Sequence, residues 1–203
     1  MSSSNPATVT AWQRARLGRL RVGWAERPAA HPDGLHERER SCLERLDLND
    51  ARRAEWIAAR LGLAGILPTG AHVVTSPDGA PEVVGAAWAA SIAHEDGWVA
   101  VAARPGGGRV AIDVVPDSAA PAAARALARV RLSGSDCAPA AAWAALECAA
   151  KLRGVGVALL LDRRVRIARL GPVALAVEGL GRRAARVRIH RLPGAVLALA
   201  DEP

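Results

Sequence analysis

Tyrosine and phenylalanine are missing from this chain, so six tryptophans carry all of its aromatic bulk. So thin a supply of stacking rings, with no helix-turn-helix or RNA-recognition signature, argues against nucleic acid as a partner. Cysteine is scarce too. Cys42, Cys137 and Cys148 are odd in number and form no C-x-x-C pair, which suggests neither a disulfide framework nor a zinc site. His31, His36, His72 and His190 share no metal-ligand spacing. Long apolar runs are absent: stretches such as Val155 to Leu161 fall far short of the roughly 20 residues that span a bilayer. Met1 to Thr10 is polar and has no apolar centre, so no signal peptide and no membrane partner are expected. The expectation is a cytoplasmic protein whose first ten residues are disordered.

Lysine occurs once, as Lys151; the other 26 basic residues are Arg, against 20 acidic ones, for a net charge of +7. The guanidinium fork suits bidentate contact with phosphate or carboxylate, and the surplus fits an anionic partner such as a nucleotide-like cofactor or an acidic protein. Genome composition accounts for the same surplus equally well, so charge alone discriminates weakly. Hydrophobic residues make up 51% of 203 positions, enough for one large domain or two small halves sharing a core.

The patterning alternates helices with short strands. Glu37 to Leu46 has apolar residues at helical spacing, and Asp50 is expected to cap a helix running to about Leu61 and stopped by Gly62. Ser76-Pro77-Asp78-Gly79 reads as a hairpin turn, and His94 to Gly97 as a second turn. Arg104 to Arg109 reads as a linker. Val110 to Val115 reads as a strand, Pro121 to Val130 and Ala138 to Arg153 as helices, and the remainder as four strands. The two halves rhyme: Gly97-Trp98-Val99-Ala100-Val101-Ala102-Ala103 matches Gly194-Ala195-Val196-Leu197-Ala198-Leu199-Ala200, and each half carries a Trp-bearing helix before its hairpin. The expected fold is α+β, a pseudo-twofold duplication of a helix-plus-antiparallel-sheet unit. Its halves would be residues 11–104 and 105–203, with a ligand cleft between them and a monomer as the functional unit.

Two acids stand alone in apolar surroundings. Asp113 interrupts the strand Val110 to Val115, and Glu147 interrupts the Ala-rich helix. A buried carboxylate needs a metal, a cation or donors. Trp143, Glu147 and Lys151 lie at i, i+4 and i+8 and so share one helix face. Two carboxylates from separate elements can hold Mg²⁺, with phosphates and water completing its octahedron. The spacing equally fits an ordinary Glu147–Lys151 surface pair with Asp113 at a strand end. That the single lysine stands here adds weight to chemistry, since a compact ammonium can neutralise phosphate or move a proton where Arg cannot.

Five segments together resemble the surfactin-synthetase type of 4′-phosphopantetheinyl transferase, over about Arg52 to Ala200. Arg52-Arg53-Ala54-Glu55-Trp56-Ile57-Ala58-Ala59-Arg60 is similar to an Arg-rich helix of the first half. Asp78-Gly79-Ala80-Pro81-Glu82 resembles a Gly-x-Pro turn, and Ser91-Ile92-Ala93-His94 an S-I-S-H motif. Val110-Ala111-Ile112-Asp113-Val114 resembles a (V/I)-G-(I/V)-D-(V/I) strand, and Trp143 to Lys151 a W-x-x-K-E-x-x-x-K helix. The resemblance implies Mg-dependent transfer of 4′-phosphopantetheine from coenzyme A to a serine of an acyl or peptidyl carrier protein, in polyketide, peptide or fatty-acid synthesis. It implies Asp113 and Glu147 as metal ligands, Glu147 as base for the serine and Lys151 as phosphate partner. It implies coenzyme A contacts from His94, Arg52 and Arg53, with Gly79 and Pro81 shaping the adenine-side loop. The chain departs from the pattern at Val115, where many members carry a second acid, and at Leu146 and Ala80, where a basic residue is usual. Ala111 and Ala93 replace a Gly and a Ser. These departures motivate the alternative expectation of a degenerate or repurposed relative, which binds a carrier or a biosynthetic intermediate without transferring anything.

Overall fold

The computed structural model describes residues 11–77, 79–133, 137–156 and 164–203. The first ten residues, Asp78 of the first turn and most of the apolar run Val155 to Leu161 lie outside them. Mixed α+β structure with antiparallel sheets is what the chain adopts. A four-stranded sheet has the order β1-β2-β6-β5, from β1 (Gln13–Leu17), β2 (Leu20–Glu26), β5 (Trp88–Glu95) and β6 (Trp98–Pro105). A six-stranded sheet has the order β7-β12-β11-β10-β9-β8. Its strands are β7 (Arg109–Pro116), β8 (Arg131–Ser133), β9 (Arg164–Gly171), β10 (Ala174–Glu178), β11 (Ala185–Leu192) and β12 (Ala195–Glu202). All its pairings are antiparallel except β8 with β9. A two-stranded ribbon joins β3 (His72–Thr75) to β4 (Pro81–Val84). The helices are α1 (Glu37–Glu44), α2 (Asp50–Ala64), α3 (Ala120–Arg129) and α4 (Pro139–Arg153).

The same local order recurs in both large sheets. β2 pairs with β6, which forms a hairpin with β5; β7 pairs with β12, which forms a hairpin with β11. Each hairpin turns on a glycine of positive φ, Gly97 at +83° and Gly194 at +86°, where an L side chain would be strained. Each sheet also packs against a 15-residue helix, α2 or α4.

Strand alternation divides β7 between two cores. Val110, Ile112 and Val114 face a cluster shared with Leu20, Val22, Ala100 and Ala102 of the first sheet and with Leu197 and Leu199 of β12. Ala111 and Val115 face α4, packing with Ala145, Leu146 and Ala149. Asp113 has the parity of Ala111 and Val115, so the pleat aims it at α4. The sheet edges meet where the Ile112 N–H donates to Ser91 Oγ of β5 at 3.2 Å. Leu146 and Leu152 are fully enclosed in the α4 core, and each such burial contributes about 1.5–3 kcal/mol.

Four expectations about local structure need correction. Asn49, not Asp50, caps α2: its Oδ1 accepts the Arg52 N–H at 2.9 Å, and Asp50 is the first helical residue. The helix then runs through Gly62 to Ala64. Gly62 is a contact glycine, since a Cβ there would run into the Trp12 ring. The linker expected over Arg104 to Arg109 is narrower: Gly106-Gly107-Gly108 joins β6 to β7, and Arg104, in β6, is 6% exposed with its Nη1 donating to Gly107 O. The second turn is also narrower than expected, because His94 and Glu95 belong to β5 and Asp96-Gly97 make the turn. β1 and β2, where apolar and charged residues alternate on either side of Gly18, were not anticipated at all.

Candidate functional site

Asp113 on β7 and Lys151 in the last turn of α4 meet directly. Lys151 Nζ donates to Asp113 Oδ1 at 2.7 Å and to Ile112 O at 3.2 Å. Asp113 is 3% exposed, and its second oxygen, Oδ2, is buried with no hydrogen-bond partner. Glu147, one turn before Lys151, sets its carboxyl beside Asp113. Burial pushes the Glu147 carboxyl up to about 8, the Asp113 charge adds to the rise, and Lys151 opposes it. Burial likewise raises Asp113, against the pull of Lys151. For Lys151 burial acts against the charge, but the Asp113 and Glu147 carboxylates outweigh it and hold the ammonium above its ordinary value.

Two side-by-side carboxyls with a buried orphan oxygen need a proton or a cation between them. That donor set is hard and anionic, and it fits a divalent ion of the Mg²⁺ type, which takes one or two carboxylates and fills its shell with phosphate and water. Among the described residues, no three His, Cys, Asp or Glu side chains meet as a ready-made metal cluster. Cys148, next to Glu147, offers no alternative nucleophile. It is fully buried against Ala111 O, and burial raises its thiol far above the usual range.

A second group forms where α2 meets the β5–β6 turn. Glu55 Oε1 accepts the Gly97 N–H at 2.8 Å, while its Oε2 lies 3.2 Å from Arg52 Nη1 and 3.1 Å from His94 Nδ1. Arg52 Nη1 also stands 3.2 Å from His94 Nδ1. Burial lowers the His94 pKa and Arg52 adds to the fall, with Glu55 working the other way. Arg52 and Glu55 border a cavity of about 670 Å³ lined further by Arg27, Glu95, Asp96 and Gly97, and His94 stands behind them, outside its lining. Arg27 is held in the left-handed region, at φ 44°, by its N–H donating to Gly97 O at 2.7 Å. A smaller cavity of about 280 Å³ is lined by Glu95, Val115, Trp143, Glu147 and alanines of α3. Glu95 borders both cavities, so Glu147 on the smaller one and Arg52 with Glu55 on the larger one line adjoining spaces.

The structure therefore brings Asp113, Glu147 and Lys151 together, and separately Arg52 with His94. Arg53 lines neither cavity. Gly79 and Pro81 shape the tip of the β3–β4 ribbon, Gly79 at φ +86° and Pro81 opposite Thr75, and they also lie outside both linings. Trp56 is a core residue, 7% exposed, under the Arg60 guanidinium; Trp143 is half-buried and walls the smaller cavity. Three lining residues escaped the sequence reading: Glu55, Glu95 and Arg27. Glu55 was legible as the i+3 partner of Arg52 on the apolar side of α2. Glu95 was masked by starting the turn two strand residues too early, at His94.

Against known proteins, the chain matches no family model and no curated protein. Among the described residues no helix is long and apolar enough to cross a membrane.

Proposed function

We propose that this protein moves the 4′-phosphopantetheine arm of coenzyme A onto a serine of a carrier protein, in a Mg²⁺-dependent reaction on the duplicated fold of the surfactin-synthetase-type transferases. The observation that carries this reading is the convergence of Asp113, Glu147 and Lys151 from two separate elements, with Glu147 on a cavity that shares Glu95 with the larger cavity lined by Arg52. An alternative in which Glu147 and Lys151 are a solvated surface pair and Asp113 a strand end does not explain why Asp113 is buried, 3% exposed, beside a second carboxyl and the lone ammonium.

The chemistry is attack of the serine oxygen on the β-phosphorus. The bond from that phosphorus to the bridging oxygen breaks, and 3′,5′-adenosine bisphosphate leaves. Glu147 takes the hydroxyl proton. Burial pushes this carboxyl up to about 8 in the metal-free chain, and a cation bound beside it would favour the ionised form that accepts the proton. Lys151, fixed by Asp113 and by the Ile112 carbonyl, presents a positioned charge toward the pyrophosphate. Arg52 and His94, both steadied by Glu55, hold a terminal phosphate of coenzyme A, with Arg27 as a further cation. The cation would sit on Asp113 and Glu147, and when bound it neutralises charge on the reacting phosphates. Positioning and charge neutralisation are most of what phosphoryl-type transfer requires.

A second reading keeps one specific observation: Arg52 and Lys151 are each already paired to a carboxylate, and Leu146 is fully buried in the core where related helices place a base. A relative that only binds a carrier would look the same. Intact-mass measurement of an apo carrier protein incubated with coenzyme A and Mg²⁺ separates the two. Gain of the phosphopantetheine mass, lost in chelator, supports transfer. Carrier binding that persists in Glu147→Gln, with no mass gain from either protein, supports the binding module and sinks the enzyme.

A further inference from the structure

The β1–β2 hairpin carries a group of cations that the proposed reaction does not use. Arg14 and Arg16 alternate along β1, and Arg16 lies directly opposite Arg21 of β2, so all three side chains leave one face of the strand pair. Like charges set across a strand pair repel each other. Elsewhere the fold relieves its arginines: Arg60, Arg104, Arg153 and Arg188 each meet a carboxylate. Among the described residues no acid pairs with Arg14, Arg16 or Arg21. The three line one cavity of about 280 Å³ together with Gly65 and Ile66 at the end of α2, and no acid borders it.

Two of these cations are held in place. Arg21 Nη1 donates to Ile66 O at 3.0 Å, and its guanidinium carbon lies 4.6 Å from the centre of the Trp88 ring. The head is fixed with further N–H donors free to bind. Arg14 rests against Gly65, where a Cβ would meet its Nη2 at 2.7 Å. Gly65 has φ −70°, which any residue adopts, so the bare Cα makes room for the guanidinium and serves no turn. The carbonyl end of α2 offsets only part of three charges. We propose that this cavity is an oxyanion site that takes a doubly charged phosphate group, free or carried by a small molecule. Guanidinium forks match phosphate oxygens bidentately, and two negative charges answer most of the positive excess. The site lies at the far end of α2 from Arg52, roughly 20 Å along the helix, so it is separate from the reaction centre and does not depend on the transferase reading.

The test titrates inorganic phosphate into the ¹⁵N-labelled full chain at pH 7.5 and constant ionic strength, following the backbone amides of Gly65 and Ile66 by NMR. The expected result is saturation at those amides with a dissociation constant of about 1 mM. Phosphate that also reaches Arg52 moves the amides at the start of α2 and is read separately. Arg21→Gln should weaken binding about tenfold. Gly65→Ala keeps every charge and displaces only the Arg14 head, and should weaken it about fivefold. Removing two exposed cations elsewhere, Arg182→Gln with Arg183→Gln, should change it by less than about twofold. Glycerol 2-phosphate separates the sources: tighter binding than phosphate identifies a phosphorylated small molecule and weaker binding the free ion, and either supports the site. Shifts that rise without saturating overturn it. So does a Gly65→Ala affinity equal to wild type, or a loss in the Arg182–Arg183 variant as large as in Arg21→Gln, because a diffuse positive field then explains the binding.

Discussion

Each half of the molecule places a charged residue four positions after a helical tryptophan, and the two halves treat it in opposite ways. In the first half that residue is Arg60. Its Nε donates to Glu39 Oε2 at 3.0 Å, its Nη2 reaches Thr75 Oγ1, Thr75 Oγ1 in turn donates to Glu39, and the guanidinium lies over Trp56. Both members of the pair are almost wholly enclosed, with side chains 7% and 2% exposed. In the second half the residue is Glu147, which faces another carboxyl, Asp113, that keeps one oxygen without a donor. A satisfied buried network holds a fold together; a pair left short of a counter-charge stores a demand for a ligand. The difference sets a satisfied buried network in one half against two adjoining carboxyls in the other.

Removing one partner from the satisfied network should do the most damage to stability. Glu39→Ala leaves the Arg60 guanidinium buried and unpaired, at an expected cost of about 3–5 kcal/mol in urea unfolding. A cost below 1 kcal/mol would mean the first half is not held as described. Lys151→Met strands Asp113 in the same way, but the Lys151 head is about a third exposed. The expected cost is therefore smaller, about 2 kcal/mol at pH 8. It should shrink at pH 5, because Asp113 without its ammonium can take a proton; an equal cost at both pH values would contradict the assignment. Gly62→Ala gains helix propensity of about 1 kcal/mol but forces a methyl against the Trp12 ring. Overpacking of that kind costs about 1–3 kcal/mol, so the net expectation is a loss of about 1 kcal/mol. A stabilised variant would show that Gly62 is only a weak helix residue.

The smallest effect is in the pH dependence. Glu147 has a folded pKa raised to about 8 from 4.5, so the folded state binds a proton that the unfolded state releases. Its contribution to stability is present at low pH and is lost as pH rises from about 5 to 8. Asp113, shifted in the same direction, adds to this trend. Lys151, raised above 10.5, titrates outside that window, and Glu95 is raised by burial and by Asp113. Glu147→Gln should therefore gain on wild type in melting temperature as pH rises, and Mg²⁺ should raise the wild-type midpoint more at pH 8 than at pH 6. A difference that is flat with pH would count against the frustrated pair.

Where local pattern decides the outcome, the sequence was readable. Lone acids at positions 113 and 147 in apolar runs pointed to the pair, because burying a bare carboxylate is costly enough to mark its position. The closing hairpins Trp98–Ala103 and Val196–Ala200 were legible because β6 and β12 are buried on both faces and read as continuous apolar runs. What was hidden depends on contacts distant in sequence. Gly62 reads as a helix stop until Trp12, fifty positions away, is seen against it. Glu55 and Glu95 resemble surface acids until β5, α2 and β7 bring them beside His94 and Glu147. The span 104–109 reads as a linker because its three glycines are punctuation in either case; only the enclosed Arg104 shows that the sheets abut there.

The comparison between the halves comes down to one paired measurement: phosphopantetheine mass gain on an apo carrier, per folded molecule, for Glu147→Gln and Glu39→Gln side by side with coenzyme A and Mg²⁺. The account predicts a rate lower by about 10²–10⁴ in Glu147→Gln, the range expected when a general base is removed, and a wild-type rate in folded Glu39→Gln. Equal rates in the two variants, or no mass gain from wild-type protein, would contradict it.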